Sequence, residues 1–502
     1  LNPRARFSRR RAWLATLVLL AAAGPAGAQN QTGTTWIGNG GNWGNANNWD
    51  CILGTPLCLP NNGLSDTWRV FIDGAQLCNL DLSVTIDQID MFPGTVLNQF
   101  NGRTLTIVGV LDPLDPLRPT GVLSLDDATY MMSSTGGNTD LVFTGPFIIG
   151  TGGLPGMVQM SNRTTNRILA AIAGEPLLIG INITIEGAGQ IGVNRTSITN
   201  QGTIRATQTV PLVLDPGPGG FTNELFLLAD GGTLQLNAGA FDNTGGAISA
   251  VSAGSTLLLN GATISGGIVE SQFGTFQLNG GTIQNATLLI QTAGLVSAST
   301  TVGDVTILSL GVINHNNGVS GLHVSGTFEN QGSYFLNSTG GNTDLILEDD
   351  TTLTGGGEID LSGFTTNRIY SSAGDRRLTN VNNTIHGAGQ IGFNRLALTN
   401  SGIIEADENG VQLTIDMAGD ASVNSGVFRA SGGGALRVST DTFDQSLGGL
   451  VEALDGSLVE LSNPTMIGGT FDTAGTGVVR VIAGGTRLDG AANTGLIEIP
   501  NN

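Results

Sequence analysis

Thr233-Leu-Gln-Leu236, Thr256-Leu-Leu-Leu259 and Thr275-Phe-Gln-Leu278 are short stretches in which apolar side chains recur at every second position. A period of two is the mark of a strand with one covered face. Between them stand Phe241-Asp-Asn-Thr-Gly-Gly-Ala-Ile-Ser-Ala250 and Ile264-Ser-Gly-Gly-Ile-Val-Glu270. Their Gly and Asn residues accept the tight or left-handed corners that turn a chain back on itself. Corresponding positions return about every 20 to 24 residues, an interval that suits one coil of a β-solenoid.

The same style extends in both directions. Ile198-Thr-Asn-Gln-Gly-Thr-Ile-Arg-Ala206 is echoed by Leu398-Thr-Asn-Ser-Gly-Ile-Ile-Glu-Ala406 and Val423-Asn-Ser-Gly-Val-Phe-Arg-Ala430. A longer period is superimposed. Ser134-Thr-Gly-Gly-Asn-Thr-Asp-Leu141 recurs at 338–345, Thr164-Thr-Asn-Arg-Ile168 at 365–369, and Gly187-Ala-Gly-Gln-Ile-Gly192 at 387–392. The offsets are 204, 201 and 200 residues, so a unit of roughly 200 residues is duplicated. The expected fold is all-β: a right-handed parallel β-helix of about 20 coils, roughly 100 Å long at ~4.8 Å per coil. A β-sandwich gives no reason for matching positions to return once per coil, and a leucine-rich horseshoe would carry a helical segment in each repeat. A propeller with paired coils as blades is the remaining rival.

Two segments depart from the pattern. Arg4, Arg6 and Arg9 to Arg11, the apolar run from Trp13 to Ala23, and Ala26-Gly27-Ala28 form a secretory leader over residues 1–28, with cleavage expected before Gln29. Its apolar core of about eleven residues is too short for a membrane span, and no later stretch is long enough for one. Residues 29–85 contain Trp36, Trp43 and Trp49, then Pro60-Asn-Asn-Gly63. Two readings apply: the tryptophans stack on a glycan or other ligand, or they close the open first coil as an N-terminal cap. The remaining chain divides into a first block, 86–317, and a second, 318–502. The terminal Gly495-Leu-Ile-Glu-Ile-Pro-Asn-Asn502 resembles the passage at 311–317 that leads into the second block, so the chain is expected to continue into a further unit or an anchor.

Composition narrows the function. The chain holds 77 Gly, has a net charge of −20, and its 20 basic residues are all Arg. An acidic exterior repels nucleic acid and anionic membranes. It suits Ca²⁺, although no EF-hand loop or other recognisable metal-ligand spacing names a site. The three cysteines, Cys51, Cys58 and Cys78, lie close together; in an oxidising compartment Cys51 and Cys58 close the shortest disulfide loop.

A β-helical polysaccharide lyase or glycoside hydrolase needs paired carboxylates, or carboxylates beside an Arg. The densest runs are Asp126-Asp127 and Glu348-Asp349-Asp350, which alternate faces on a strand and therefore read as solvated corners. Arg167 and Arg368, like Arg195 and Arg395, stand at duplicated stations, which points to a structural role such as bonding corner carbonyls. His315, His323 and His386 are the only histidines, and their spacing suggests no metal site.

The leader, the stretch TTWIGNGGNWGNANNWD with PNNG after it, and coils such as NTIHGAGQIGFNRLALTNSGIIEA resemble uncharacterised bacterial secreted and surface proteins with β-helical repeats, similar to autotransporter passenger regions. The resemblance implies surface attachment and supplies no catalytic residues. Sequence and resemblance together point to a structural or adhesive exoprotein meeting surface glycans or other matrix proteins. The alternatives are the carbohydrate-active enzyme and a passive stalk or passenger.

Overall fold

In the computed structural model the described residues are 30–499 apart from 52–57, 63–65, 75, 113–114, 375, 419–421 and 440. The leader, 1–28, lies outside them. The chain winds as a β-solenoid with three strands to a coil. One coil shows the plan. Ile183–Gly187 lies on a first sheet, Gly189–Ile191 on a second and Ser197–Asn200 on a third. Thr203–Ala206 then returns to the first, parallel to and paired with Ile183–Gly187. The pairings are parallel apart from Thr34–Trp36 against Trp49–Cys51, the Val110–Asp112 hairpin with Asp115–Leu125, and one isolated bridge.

Alternation sends one row of side chains inward. On the first sheet Ile204, Leu227, Ile248 and Val269 stack coil upon coil, and Ala206, Ala229 and Ala250 stack beside them, all without exposure. Phe221 and Phe241 stack on the third sheet with ring centroids 5.2 Å apart and planes tilted by 20°. Burial of each large side chain contributes about 1.5 to 3 kcal/mol, and a long stack repeats the gain in every coil.

Backbone approach explains the repeated Gly-Ala-Gly. Gly187 has φ 118° and Gly387 φ 110°. A Cβ on Gly187 would collide with the carbonyl of Met160 in the preceding coil, and one on Gly387 with that of Leu361. Both the conformation and the close approach exclude larger residues.

The two blocks are not stacked face over face. Thr139–Phe143, Asn166–Ala170 and Gly189–Ile191 lie on the second sheet, whereas their counterparts in Thr343–Thr354, Asn367–Ser371 and Gly389–Gly392 lie on the third. Following the second sheet upward through successive pairings leads to Glu358–Leu361 and Thr384–Gly387 instead. The duplicated unit therefore measures nine coils plus one strand. Each feature of the first block reappears about 45 Å along the axis, one face further round.

Residues 30–51 begin the same stack. Asn30–Trp36 pairs with Asp66–Ile72, which pairs with Gln88–Met91. Trp36, Trp43 and Trp49 close this end from inside, with centroids of 4.9 Å between Trp36 and Trp49 and 4.6 Å between Trp43 and Trp49 in edge-to-face arrangement.

Candidate functional site

The residues singled out in the sequence fall in different places. Trp36, Trp43 and Trp49 are 2%, 0% and 5% exposed. Trp43 donates its indole N–H to the Pro60 carbonyl at 3.1 Å and Trp49 to the Trp43 carbonyl at 2.9 Å. Their faces are covered by protein and offer no platform on which a glycan can stack. Cys58 is disulfide-bonded and Cys78 is a free, buried thiol held well above its ordinary pKa by burial. The side chain of Cys51 lies outside those described.

The acidic runs separate as the strand geometry requires. Asp127 is an exposed corner residue with φ 50°, while Asp126 accepts from the Leu154 amide at 2.9 Å. Glu348 is half-buried and bonded to His323 and Ser372, whereas Asp349 and Asp350 are exposed.

Arg167 and Arg368 do not bond corner carbonyls as expected; each makes a two-pronged ion pair across adjacent coils. Arg167 meets Asp140 at 2.8 and 2.6 Å, and Arg368 meets Asp344 at 2.6 and 2.5 Å. Strand register sets both pairs, since Asp140 stands opposite Arg167 and Asp344 opposite Arg368. Arg368 also lies over the rings of Tyr370 and Phe393. Arg195 does reach a carbonyl, that of Ala171, at 3.2 Å.

Polar residues that the sequence reading passed over hold the duplicated loops. Asn101 Oδ1 accepts from the amides of Thr135 and Gly137 at 2.8 and 2.7 Å, and Asn317 Oδ1 from those of Thr339 and Gly341 at 2.7 and 2.9 Å. Inside the corners run amide ladders without exposure: Asn200–Asn223–Asn243 in the first block and Asn380–Asn400–Asn424–Gln445 in the second. The recurring Thr-Asn and Val-Asn ends of strands were the visible signal.

The most concentrated ionisable group lies on the second sheet of the second block. Asp360, His386, Glu405 and Arg429 stand in register on successive coils. His386 Nδ1 is 3.0 Å from Asp407 Oδ2, and its Nε2 is 3.8 Å from Glu358 Oε2. Ser333 donates to Glu358 at 2.6 Å. Arg429 binds Glu452 at 2.7 Å and reaches Glu405 at 3.5 Å. Together Gln331, Ser333, Glu358, His386, Glu405 and Asp407 line an open depression.

Mutual electrostatics tune this group. The bond to Asp407 raises the His386 pKa above its ordinary value and lowers that of Asp407. Burial raises Asp360. The depression therefore holds an imidazole whose charged form is favoured by the carboxylates around it, able to bind a cationic or hydroxyl-rich ligand or to exchange a proton at His386 Nε2. The first block has Gln159, Glu186 and Arg205 at the stations of Asp360, His386 and Glu405, so the cluster belongs to one copy alone.

Among the described residues, no group of three or more His, Cys, Asp or Glu side chains is arranged to hold a metal ion. Nor is any helix there long and apolar enough to cross a membrane. No family model matches the chain, and neither curated proteins nor solved structures give a significant match.

Proposed function

We propose that the chain is a structural exoprotein of the bacterial surface or matrix, a stiff spacer whose polar outer rows meet glycans or neighbouring matrix proteins. The solenoid fold is consistent with a scaffold role. The observation that carries the reading is the unbroken parallel stack from the first coil at Asn30–Trp36 to the last at Ile497–Glu498. Each coil is fixed to its neighbours by three ladders, so stiffness accumulates along the axis while outward stations remain free to vary. Many weak contacts along such a surface sum to useful avidity. Secretion and surface attachment belong to this proposal and rest on the leader and the resemblance of the repeats.

The test is retention on immobilised bacterial polysaccharides. Binding that weakens progressively as coils are removed supports the adhesive scaffold; binding that survives intact in a few-coil fragment, or is absent throughout, counts against it.

A second reading, a carbohydrate-active enzyme, is favoured by one feature: Glu358, Glu405, Asp407 and His386 share a depression near Arg429. Release of reducing ends or unsaturated products from a polysaccharide, abolished by Glu358→Gln and His386→Ala, supports it. Product release that both variants leave unchanged removes this depression from the chemistry.

A further inference from the structure

Between Arg205 and Arg368 there is no Arg or Lys, and between residues 231 and 303 the only charged side chains are Asp242 and Glu270. The fold places this neutral stretch near mid-length of an otherwise acidic rod. On its first sheet, two outward rows carry a high share of apolar residues. One row runs Phe226, Ala247, Ile268, and the other Leu228, Ser249, Glu270, Leu289, Leu308. Leu225, Phe273 and Leu310 flank them at the corners. Phe226 is 43% exposed, Ile268 42%, Phe273 66% and Leu310 48%.

The second block keeps the first of these rows apolar, with Ile403, Val427 and Leu450, but shows that folding does not require an apolar second row. The stations of Arg205, Leu228, Ser249 and Glu270 are taken there by Glu405, Arg429, Glu452 and Asp472, again in register on successive coils. Arg429 ties Glu405 and Glu452 together. In this second row one backbone thus carries a charged ladder in one copy and, apart from Ser249 and Glu270, leucines in the other. Within the strip the single carboxylate, Glu270, accepts from Ser249 at 2.8 Å, Gln272 at 2.7 Å and Gln291 at 3.3 Å. Three donors lower the cost of covering it.

We propose that this strip is a self-association surface, on which a second copy of the chain docks about a two-fold axis near Ile268. Charge selects the occupant. A basic partner would be drawn to the acidic blocks on either side, whereas two copies of a chain of net charge −20 repel each other except where the surface is neutral. Because the strip lies near mid-length, two rods crossing there keep their acidic ends apart. Five coils at ~4.8 Å, across the sheet and its corners, cover roughly 600 to 700 Å² per copy, at the lower edge of what a specific interface buries.

The experiment is sedimentation velocity of the full chain from about 1 to about 100 µM, in low and in 0.5 M salt, with Leu228→Arg and Leu289→Glu as separate variants. Leu228→Arg places at this station the residue that the second block already accommodates. The wild type is expected to shift from monomer to dimer with concentration, and at lower concentration in high salt because repulsion is screened. Each variant is expected to raise the midpoint at least tenfold. As an independent readout, Ile268→Cys should form a disulfide-linked dimer on oxidation, while Thr414→Cys on the third sheet should not. A wild type that stays monomeric throughout, a dimer indifferent to both variants, or equal cross-linking from the two cysteines would overturn the proposal.

Discussion

His315 Nδ1 lies 2.8 Å from the Tyr334 hydroxyl inside the solenoid, and His315 Nε2 lies 2.9 Å from the Val319 carbonyl. A carbonyl only accepts, so Nε2 carries the proton and Nδ1 accepts from the tyrosine. The imidazole is neutral, fully buried, and held down to about 4 by burial. In the first block Gln99 and Tyr130 make the equivalent bond, and Gln99 also donates to the carbonyls of Arg103 and Asp140.

A pH effect follows, with a defined sign. The unfolded chain takes up the proton near 6.5 and the folded chain only near 4, so the contribution is complete above about 6.5 and falls as pH is lowered to about 4. The loss amounts to roughly 3 kcal/mol. His315→Gln, borrowing the solution of the first block, should preserve stability at pH 7 and remove this part of the acid sensitivity. Hydrogen exchange of the surrounding coils at pH 7 and pH 4.5 measures both; equal acid sensitivity in variant and wild type contradicts the assignment.

His315 and His386 should separate in an NMR titration. His315 titrates near 4 and His386 above its usual value, because the Asp407 carboxylate stabilises its charged form. For His386 the linkage runs the other way: stability is present below the unfolded pKa and declines as pH rises through the folded one. Asp407→Asn should bring the His386 titration downward; an unchanged midpoint refutes the pairing.

Ion pairs of similar appearance should differ in consequence. The Asp344 side chain is 1% exposed, so Arg368→Ala leaves a buried charge and should cost about 3 to 5 kcal/mol in local stability. The Arg437–Glu460 pair is partly open to solvent, at 37% and 16% exposure, and Arg437→Ala should cost no more than about 1 kcal/mol. Comparing hydrogen-exchange protection around the two sites decides it, with equal losses as the contrary result.

Asn223 donates to Asn243 at 2.7 Å and accepts from Asn200 at 2.9 Å. Asn223→Ala strips a partner from each neighbour in a buried corner, for an expected cost of about 2 to 4 kcal/mol. A loss below about 0.5 kcal/mol, read from exchange of amides in these coils, would show that the ladder is ornamental.

Much of the fold was legible because a coil repeats its own rules. Thr-Leu-Gln-Leu names a strand with one covered face, and Gly-Ala-Gly marks the point where one coil presses on the last. The rotation of the second block was not legible. It depends on counting strands through Ala293–Ser309 and Ser320–Asn330, each of which runs round a corner as one continuous strand and hides the third-of-a-coil remainder. The ion pairs of Arg167 and Arg368 were hidden for a related reason: their partners lie a coil away, 27 and 24 residues earlier, at a register that only pairing reveals. The His386 group was obscured because its imidazole and carboxylates come from three coils. Trp36, Trp43 and Trp49 were visible as a cluster, but exposure, not spacing, decides between a cap and a binding platform.

Small-angle X-ray scattering of the dilute protein tests the central claim, a single stiff three-sheet rod, most directly. The account predicts a skewed distance distribution reaching about 100 Å and a radius of gyration of about 30 Å. A symmetric distribution with a radius near the roughly 23 Å of a compact globule of this length would contradict it.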